Sequence, residues 1–326
     1  MLPSDNVIAL ERGHYRLRAQ IGGSVYGTVW RAAAPAGRPD VALKLVNEAQ
    51  MALAQPDLRE RWIASACNEI AFLRALAPWD SHHIVRLVDS GWHAGLPVLA
   101  LELLPTDLGR HLARRRAAGL APDFRQALDW IGQLNQALAK VHQYGWRYLD
   151  LKPANILVDT ATGTLRLTDF GTNRQLAKGD AHSYAGTAQW QAPEQFFPAA
   201  HGAYATGRHS DYFALGALFY FLVTAAPLRW SIACGQAFRE HQTDGARHLL
   251  AAHAGSLPPP LAPDEAARFA AAVPPIARAA AVTLLETLLA AEPRGRPASA
   301  LAISRMLGRA AVAAPAVRAG EAQAFA

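Results

Sequence analysis

Cysteine is scarce in this chain: Cys67 and Cys234 are the two among 326 residues, far apart and outside any CxxC or Cys/His spacing. That excludes a disulfide scaffold and a cysteine-based metal site, and points to ordinary thiols in a reducing, cytoplasmic setting. Charge is modest too, at 18% of residues against 51% hydrophobic, the composition of a folded globular protein. The net charge of +6 would permit an acidic partner, but the basic residues are dispersed. Arg114-Arg115-Arg116 is the one tight cluster, and it reads as a solvated helix end. With neither a basic face nor a reading motif, no nucleic-acid partner is expected. No apolar run is long enough for a confident membrane span. The longest, Tyr212 to Val223 extended through Ala226 and closed by Pro227, reads as a buried core helix. Asp5, Glu11 and Arg12 around a short apolar stretch argue against a signal peptide, and no lipidation motif is seen.

What is present divides by pattern. Residues 1–12 read as a short lead-in. Apolar residues alternate from Tyr15 to Leu45 around a glycine turn, as strands do, and Arg59–Leu76 has helical periodicity, with Ile63, Cys67, Ile70, Leu73 and Leu76 able to share a face. The runs Ile84–Val88 and Pro97–Leu103 predict two further strands. Helical spacing dominates from Leu108 to His142, again from Tyr212, and from Ile276 to Ala291. Between Ala225 and Pro275 the pattern is hard to read, because Pro258-Pro259-Pro260 and Pro274-Pro275 break any continuous helix. After about Leu307 the chain is Ala-rich and predicts a helix end running into a tail.

Four groups of residues carry chemistry. Tyr148-Leu149-Asp150-Leu151-Lys152-Pro153-Ala154-Asn155 is followed, fourteen residues on, by Asp169-Phe170-Gly171. This order suits the handling of a magnesium nucleotide: Asp150 as base, Lys152 to offset phosphoryl charge, Asn155 and Asp169 as oxygen ligands for a hard cation. Ile21-Gly22-Gly23-Ser24-Val25-Tyr26-Gly27-Thr28-Val29 is a glycine turn whose backbone N–H groups can approach phosphate oxygens. Lys44 follows seventeen residues after Gly27, in a strand interior, where a lysine is poorly placed unless it points at something anionic. Glu69 is the acid chosen to position it, ahead of Glu60, which is flanked by Arg59 and Arg61. The fourth group is Gly186-Thr187-Ala188-Gln189-Trp190-Gln191-Ala192-Pro193-Glu194.

These groups, in this order, resemble the motifs of eukaryotic-type Ser/Thr protein kinases over about residues 13–308. The resemblance implies an α+β bilobal fold, with an antiparallel β-sheet N-lobe (13–101) carrying one regulatory helix, a hinge (102–105), a mostly helical C-lobe (106–308) and a tail (309–326). ATP and Mg2+ are the implied cofactors, a protein hydroxyl is the implied acceptor, and the upstream regulator is unknown. Gly22, Gly23, Ser24 and Gly27 would cover the phosphates, and Lys44, set by Glu69, would grip them. Val29, Ala42 and Leu157 would sandwich the adenine, with Leu101 as gatekeeper, Glu102 and Leu104 in the hinge and Asp107 near the ribose. Leu73, Tyr148 and Phe170 match a hydrophobic stack, and Gly171 completes the metal-binding triplet. Thr187 would bond to Asp150 and Lys152, Glu194 would pair with Arg296, and Asp211 would anchor the catalytic-loop backbone.

The departures carry information. Ser24 replaces the middle glycine of the turn, and Tyr148-Leu149 stand where the family usually has His-Arg. That arginine normally receives an activation-loop phosphate, which leucine cannot do, so control by a phosphate of that kind is not expected even though Ser183 and Tyr184 lie in the loop. Ala154 removes one reason to expect a basic-directed substrate. Two other readings compete: a nucleotide-binding pseudokinase acting as a scaffold, and a small-molecule kinase on a related fold.

Overall fold

The computed structural model describes residues 6–24, 26–35, 37–54, 56–177, 184–199 and 203–312. Val25, Ser183 and residues 313–326 of the expected tail lie outside the described residues. In chain order the first elements are β1 (Val7–Ala9), β2 (His14–Gly23), β3 (Gly27–Ala33), β4 (Val41–Val46), α1 (Glu48–Leu53) and α2 (Pro56–Ala75). There follow β5 (Leu87–His93), β6 (Leu96–Glu102), β7 (Thr106–Asp107), α3 (Leu108–Ala117), α4 (Phe124–Gln143) and β8 (Trp146–Arg147). Next come β9 (Ile156–Asp159), β10 (Thr164–Leu167), β11 (Arg174–Gln175), α5 (Pro193–Phe196) and α6 (Arg208–Thr224). The chain continues through α7 (Arg229–His241), α8 (Gly245–Ala252), α9 (Pro263–Ala272), α10 (Arg278–Leu288) and α11 (Ala300–Val312). The expected change from strand-rich to helix-rich sequence is present. The chain packs as two compact units, one of residues 1–114 with 140–178 and one of 115–139 with 179–326.

In the first unit a six-stranded antiparallel sheet has the order β1-β2-β3-β4-β6-β5. Strand β1 lies within the segment expected as a lead-in, paired through Ile8 with Tyr15. The period of two decides what each face holds. Along β4, Val41, Leu43 and Leu45 enter a core with Ile8, Tyr15, Leu17, Trp30 and Val98, whereas Ala42 and Lys44 take the opposite face. Registers Val29↔Lys44 and Ala42↔Leu101 fix those residues between β3 and β6.

Two expectations shift. The strand predicted at Ile84–Val88 begins at Leu87 and runs to His93, with Asp89, Ser90 and Gly91 as its buried positions. The Asp89 carboxylate is satisfied by the N–H groups of Arg12 and Ser90, so no apolar alternation marks the strand. On α2 the deeply buried residues are Trp62, Glu69, Phe72 and Leu73, while Ile63, Cys67 and Ile70 are only half-buried. An acid occupies the centre of the buried stripe, which rotates the true face away from the apolar one.

The second unit is helical. Nearly all of α6 is buried, as expected of a core helix, and no single helix among the described residues is long and apolar enough to cross a membrane. The stretch that resisted reading contains α7, α8 and α9, and its prolines fall at boundaries. Pro263 opens α9, and Pro274-Pro275 separate α9 from α10. Buried Glu265 ties this region together by accepting from the N–H groups of Ala262 and Arg229. Helices α6 and α10 approach so closely that a Cβ at Gly216 would lie 2.7 Å from Leu288 Cβ and 3.1 Å from Leu289 Cδ2. Gly216→Ala is therefore expected to destabilise the protein by about 1–3 kcal/mol through overpacking, read as a lower urea midpoint with an unchanged m-value.

Candidate active site

Lys44 is where the first unit converges. The pleat of β4 turns it off the core face, and its ammonium donates to Glu69 Oε2 at 2.6 Å and to Asp169 Oδ1 at 2.7 Å. Glu60, the rival acid, is exposed on the same helix. Burial alone would push the Lys44 ammonium toward neutrality, but the carboxylates of Asp169 and Glu69 outweigh it and hold its pKa above the ordinary lysine value. Burial raises the pKa of Glu69, whose side chain is 1% exposed, and Lys44 offsets this only in part. Partial desolvation acts the same way on Asp169, 42% exposed, but the Lys44 charge prevails and its carboxyl sits below the usual range.

A second cluster forms around Asp150. Its Oδ2 accepts from Lys152 Nζ and from Asn155 Nδ2, each at 2.8 Å, and its carbonyl oxygen accepts from Asn155 Nδ2 at 3.0 Å. The amide nitrogen of Asn155 is thus committed to Asp150, which orients its Oδ1 as the group available to a cation. Asn155 is also tied to the residue just after β10, since its carbonyl accepts from the Thr168 N–H at 3.0 Å. Two residues here lie in the left-handed backbone region, Leu149 at φ 67° and Asp169 at φ 61°. Each costs about 1–2 kcal/mol, a strain that the surrounding contacts must offset.

The expected contact between Tyr148 and Phe170 is present, and further rings extend it. Tyr148, fully buried, meets Phe170 edge-on at 5.2 Å and donates its hydroxyl proton to the Thr168 carbonyl. Phe170 packs at 4.6 Å on Phe72, which in turn meets Trp146 at 6.3 Å. Leu73 is also buried, and Phe72 is a further ring on Phe170 that sequence reasoning missed. Its spacing from Glu69, three residues on the helix, was the available signal.

The remaining predicted residues are placed as follows. Val29 stands opposite Lys44, Ala42 opposite Leu101, and Leu157 opposite Asp107. The Glu102 carboxylate accepts from the Arg86 N–H at 2.9 Å and from Arg166 Nη1 at 2.6 Å, so it clamps neighbouring strands, and Leu104 lies two residues beyond it. Asp107 caps α3 by accepting from the Arg110 N–H at 2.9 Å. Gly22 and Gly23 end β2, Gly27 opens β3, and the Ser24 hydroxyl accepts from the N–H groups of Tyr26 and Gly27. Gly171 follows Phe170 in a 3-10 turn. The oxygens of Asn155 and Asp169 suit a hard divalent cation. Among the described residues, no cluster of three or more His, Cys, Asp or Glu is arranged to hold a metal alone.

Thr187, Glu194, Asp211 and Arg296 belong to the second unit. Arg296, with a fully buried side chain, forks onto Glu194 at 2.7 and 2.9 Å and donates to the carbonyls of His209, Ala290 and Ala291. Ser210 Oγ donates to the same Glu194 at 2.7 Å, and Asp211 is buried in the first turn of α6. Thr187 is half-buried at the N-terminal side of a 3-10 turn.

Comparison with known proteins identifies the family of this chain. A family model described as "Protein kinase domain" matches residues 15–306. The chain is 34% identical over 215 residues to Cyclin-dependent kinase B2-2 of Arabidopsis thaliana, covering 63% of each protein. It is 30% identical over 261 residues to Serine/threonine-protein kinase PknA of Mycobacterium tuberculosis, covering 77% of this chain and 53% of that protein. Identity is 30% over 219 residues to Ribosomal protein S6 kinase beta of Caenorhabditis elegans, covering 65% of this chain and 36% of the relative. The matches thus span between about a third and two thirds of the length of these relatives.

Removing one side of the largely buried Arg296–Glu194 pair leaves an uncompensated charge. Arg296→Met is expected to cost about 3–5 kcal/mol, and Arg296→Met/Glu194→Leu to recover much of it, both measured by urea unfolding.

Proposed function

The chain belongs to the protein kinase family, and from that membership we propose that it is an ATP-dependent Ser/Thr protein kinase with Asp150 as catalytic base. The observation that carries the reading is Lys44 bound at once to Glu69 and Asp169, which lie 25 and 125 residues away in sequence. Lys44 would meet the α- and β-phosphates, and Glu69 would keep it in place. Asn155 Oδ1 and Asp169 would hold Mg2+, which when bound supplies positive charge to the phosphate oxygens. Asp150 orients the acceptor hydroxyl and takes its proton. The hydroxyl oxygen forms a bond to the γ-phosphorus as the β–γ bridging bond breaks, and ADP departs. Lys152, within hydrogen-bond reach of Asp150, would offset charge on the moving phosphoryl group.

Val29, Ala42, Leu101 and Leu157 would line the adenine site, with backbone contacts at Glu102–Leu104. Thr187 would steady the base, and Asp211 the catalytic-loop backbone. The division into 13–101, 102–105 and 106–308 remains our working assignment. The unpaired thiols, including Cys234, whose pKa burial pushes up, support a reducing setting. The pseudokinase reading draws on one observation, the Ser24 hydroxyl on two turn amides that could otherwise face phosphate. A transfer assay separates the two. The wild-type chain should label itself or a generic basic protein from ATP, and Asp150→Ala should lower kcat by about 10²–10⁴-fold with little change in ATP KM. Equal labelling by both proteins, or none by either, would refute catalysis through Asp150.

Leucine at 149 supports a loop that is set without a phosphate. Tyr184 stacks flat on Phe238 at 4.7 Å and donates to Gln191 Oε1 at 2.8 Å, while Gln191 and Gln195 both donate to the Ala185 carbonyl. These are neutral contacts. Tyr184→Phe, which keeps the stack, is expected to retain kcat within about tenfold, as one neutral hydrogen bond is worth about 0.5–1.5 kcal/mol. A loss of a hundredfold in steady-state rate would mean that a phosphotyrosine is needed.

A further inference from the structure

The turn between β2 and β3 carries a serine at the place of its middle glycine, and the serine hydroxyl is in use. Ser24 Oγ accepts from the Tyr26 N–H and the Gly27 N–H, both at 3.2 Å. Two neighbouring amides converging on one oxygen make a small anion nest. Its present acceptor is a neutral hydroxyl from within the loop. A phosphate oxygen that uses either amide must displace that hydroxyl, since one N–H cannot serve two acceptors at full strength.

The turn also has supports that do not involve the hydroxyl. Ser24 N–H donates to the Gly27 carbonyl at 2.7 Å. Asn47 Nδ2 donates to the Ser24 carbonyl at 2.9 Å, and the Asn47 N–H donates to the Tyr26 carbonyl at 3.1 Å. The Tyr26 ring lies 5.0 Å from that of Trp62 on α2, the helix that carries Glu69. These contacts decide the sign of the effect. With the hydroxyl removed, the turn keeps its backbone and aromatic anchors, and its two amides are released without the loop being lost.

We propose that Ser24 is an internal competitor for the amides that would hold the phosphate tail of a nucleotide, and so sets affinity for the phosphates and not for the nucleoside. This rests on the nucleotide-binding reading above. Alanine at 24 removes the hydroxyl without adding glycine's backbone freedom, and threonine retains it.

The test is calorimetric titration of the full chain with ADP and with adenosine, for wild type, Ser24→Ala and Ser24→Thr, alongside steady-state kinetics. Ser24→Ala should bind ADP about three- to tenfold more tightly, the worth of one released neutral hydrogen bond. Adenosine affinity should be the same in all three, and Ser24→Thr should match wild type for ADP. The ATP KM should fall in Ser24→Ala with kcat no higher. ADP binding that is unchanged or weaker in Ser24→Ala would overturn the inference, as would an equal gain for adenosine. If neither wild type nor variants bind ADP or ATP, the nucleotide reading falls first and the inference with it.

Discussion

One ammonium group organises the first unit. Lys44 is 19% exposed and sits between a buried carboxylate and a half-exposed one. An ammonium so placed would lose its charge if alone, because desolvation opposes ionisation and the Coulomb attraction of its neighbours must exceed that penalty. Each partner reaches it by a different structural route. The β4 pleat supplies the lysine, the inner face of α2 supplies Glu69, and the turn after β10 supplies Asp169 in a left-handed conformation. None of the three elements explains its own geometry. The lysine would be misplaced without the acids, the acid on α2 would be an error in a buried stripe, and the φ of Asp169 would be strain without return. Together they account for one another.

Leu149 is held by a comparable balance. A β-unbranched apolar residue at φ 67° is costly, yet its side chain is 4% exposed. Burying a leucine side chain contributes about 1.5–3 kcal/mol, enough to offset the roughly 1–2 kcal/mol of left-handed backbone. The backbone on either side is held as well. Thr172 Oγ1 donates to the Tyr148 carbonyl at 3.2 Å, and Asn155 holds the Asp150 carbonyl at 3.0 Å. The strained residue is therefore flanked by two fixed carbonyls, and the acid that follows it has little freedom to move. A hydrophobic side chain stabilises this geometry without any ionic partner.

Legibility in the sequence followed the physics of each contact. Lys44 could be found because a lysine inside a strand pattern breaks the local rule and demands an anion. Asp150, Asn155 and Asp169 could be found because spacing along a short loop survives folding. Phe72 could not, since one more aromatic on a helix carries no mark of the ring it meets. The buried stripe of α2 was displaced in the reading because its centre is Glu69, and strand β5 because Asp89 is satisfied by backbone N–H groups that no residue pattern encodes. Helices α7, α8 and α9 were hidden behind prolines that prove to sit at helix boundaries. The contacts of Ser24 were equally silent, as a hydroxyl in a loop looks solvated until the amides around it are known.

Charge separates what is fixed in the second unit from what could be switched. Arg296, fully buried, and Glu194, partly buried, form a bidentate pair, and the Phe213 ring lies 5.0 Å from that guanidinium, so the segment around Glu194 is held by an ion pair largely shielded from solvent. Just upstream, Tyr184, Gln191 and Gln195 hold the chain with a ring stack and amide hydrogen bonds, and the Trp230 indole donates to the Gln191 carbonyl at 2.9 Å. These contacts are made by rings, side-chain amides and carbonyls, and none of them is ionic. On the proposed reading, a phosphate-operated loop would need a cation to receive the phosphate, and position 149 carries a leucine. On the proposed reading, the contacts that would respond to a nucleotide are the Lys44 pair and the amides of the β2–β3 turn, because their acceptors can be exchanged.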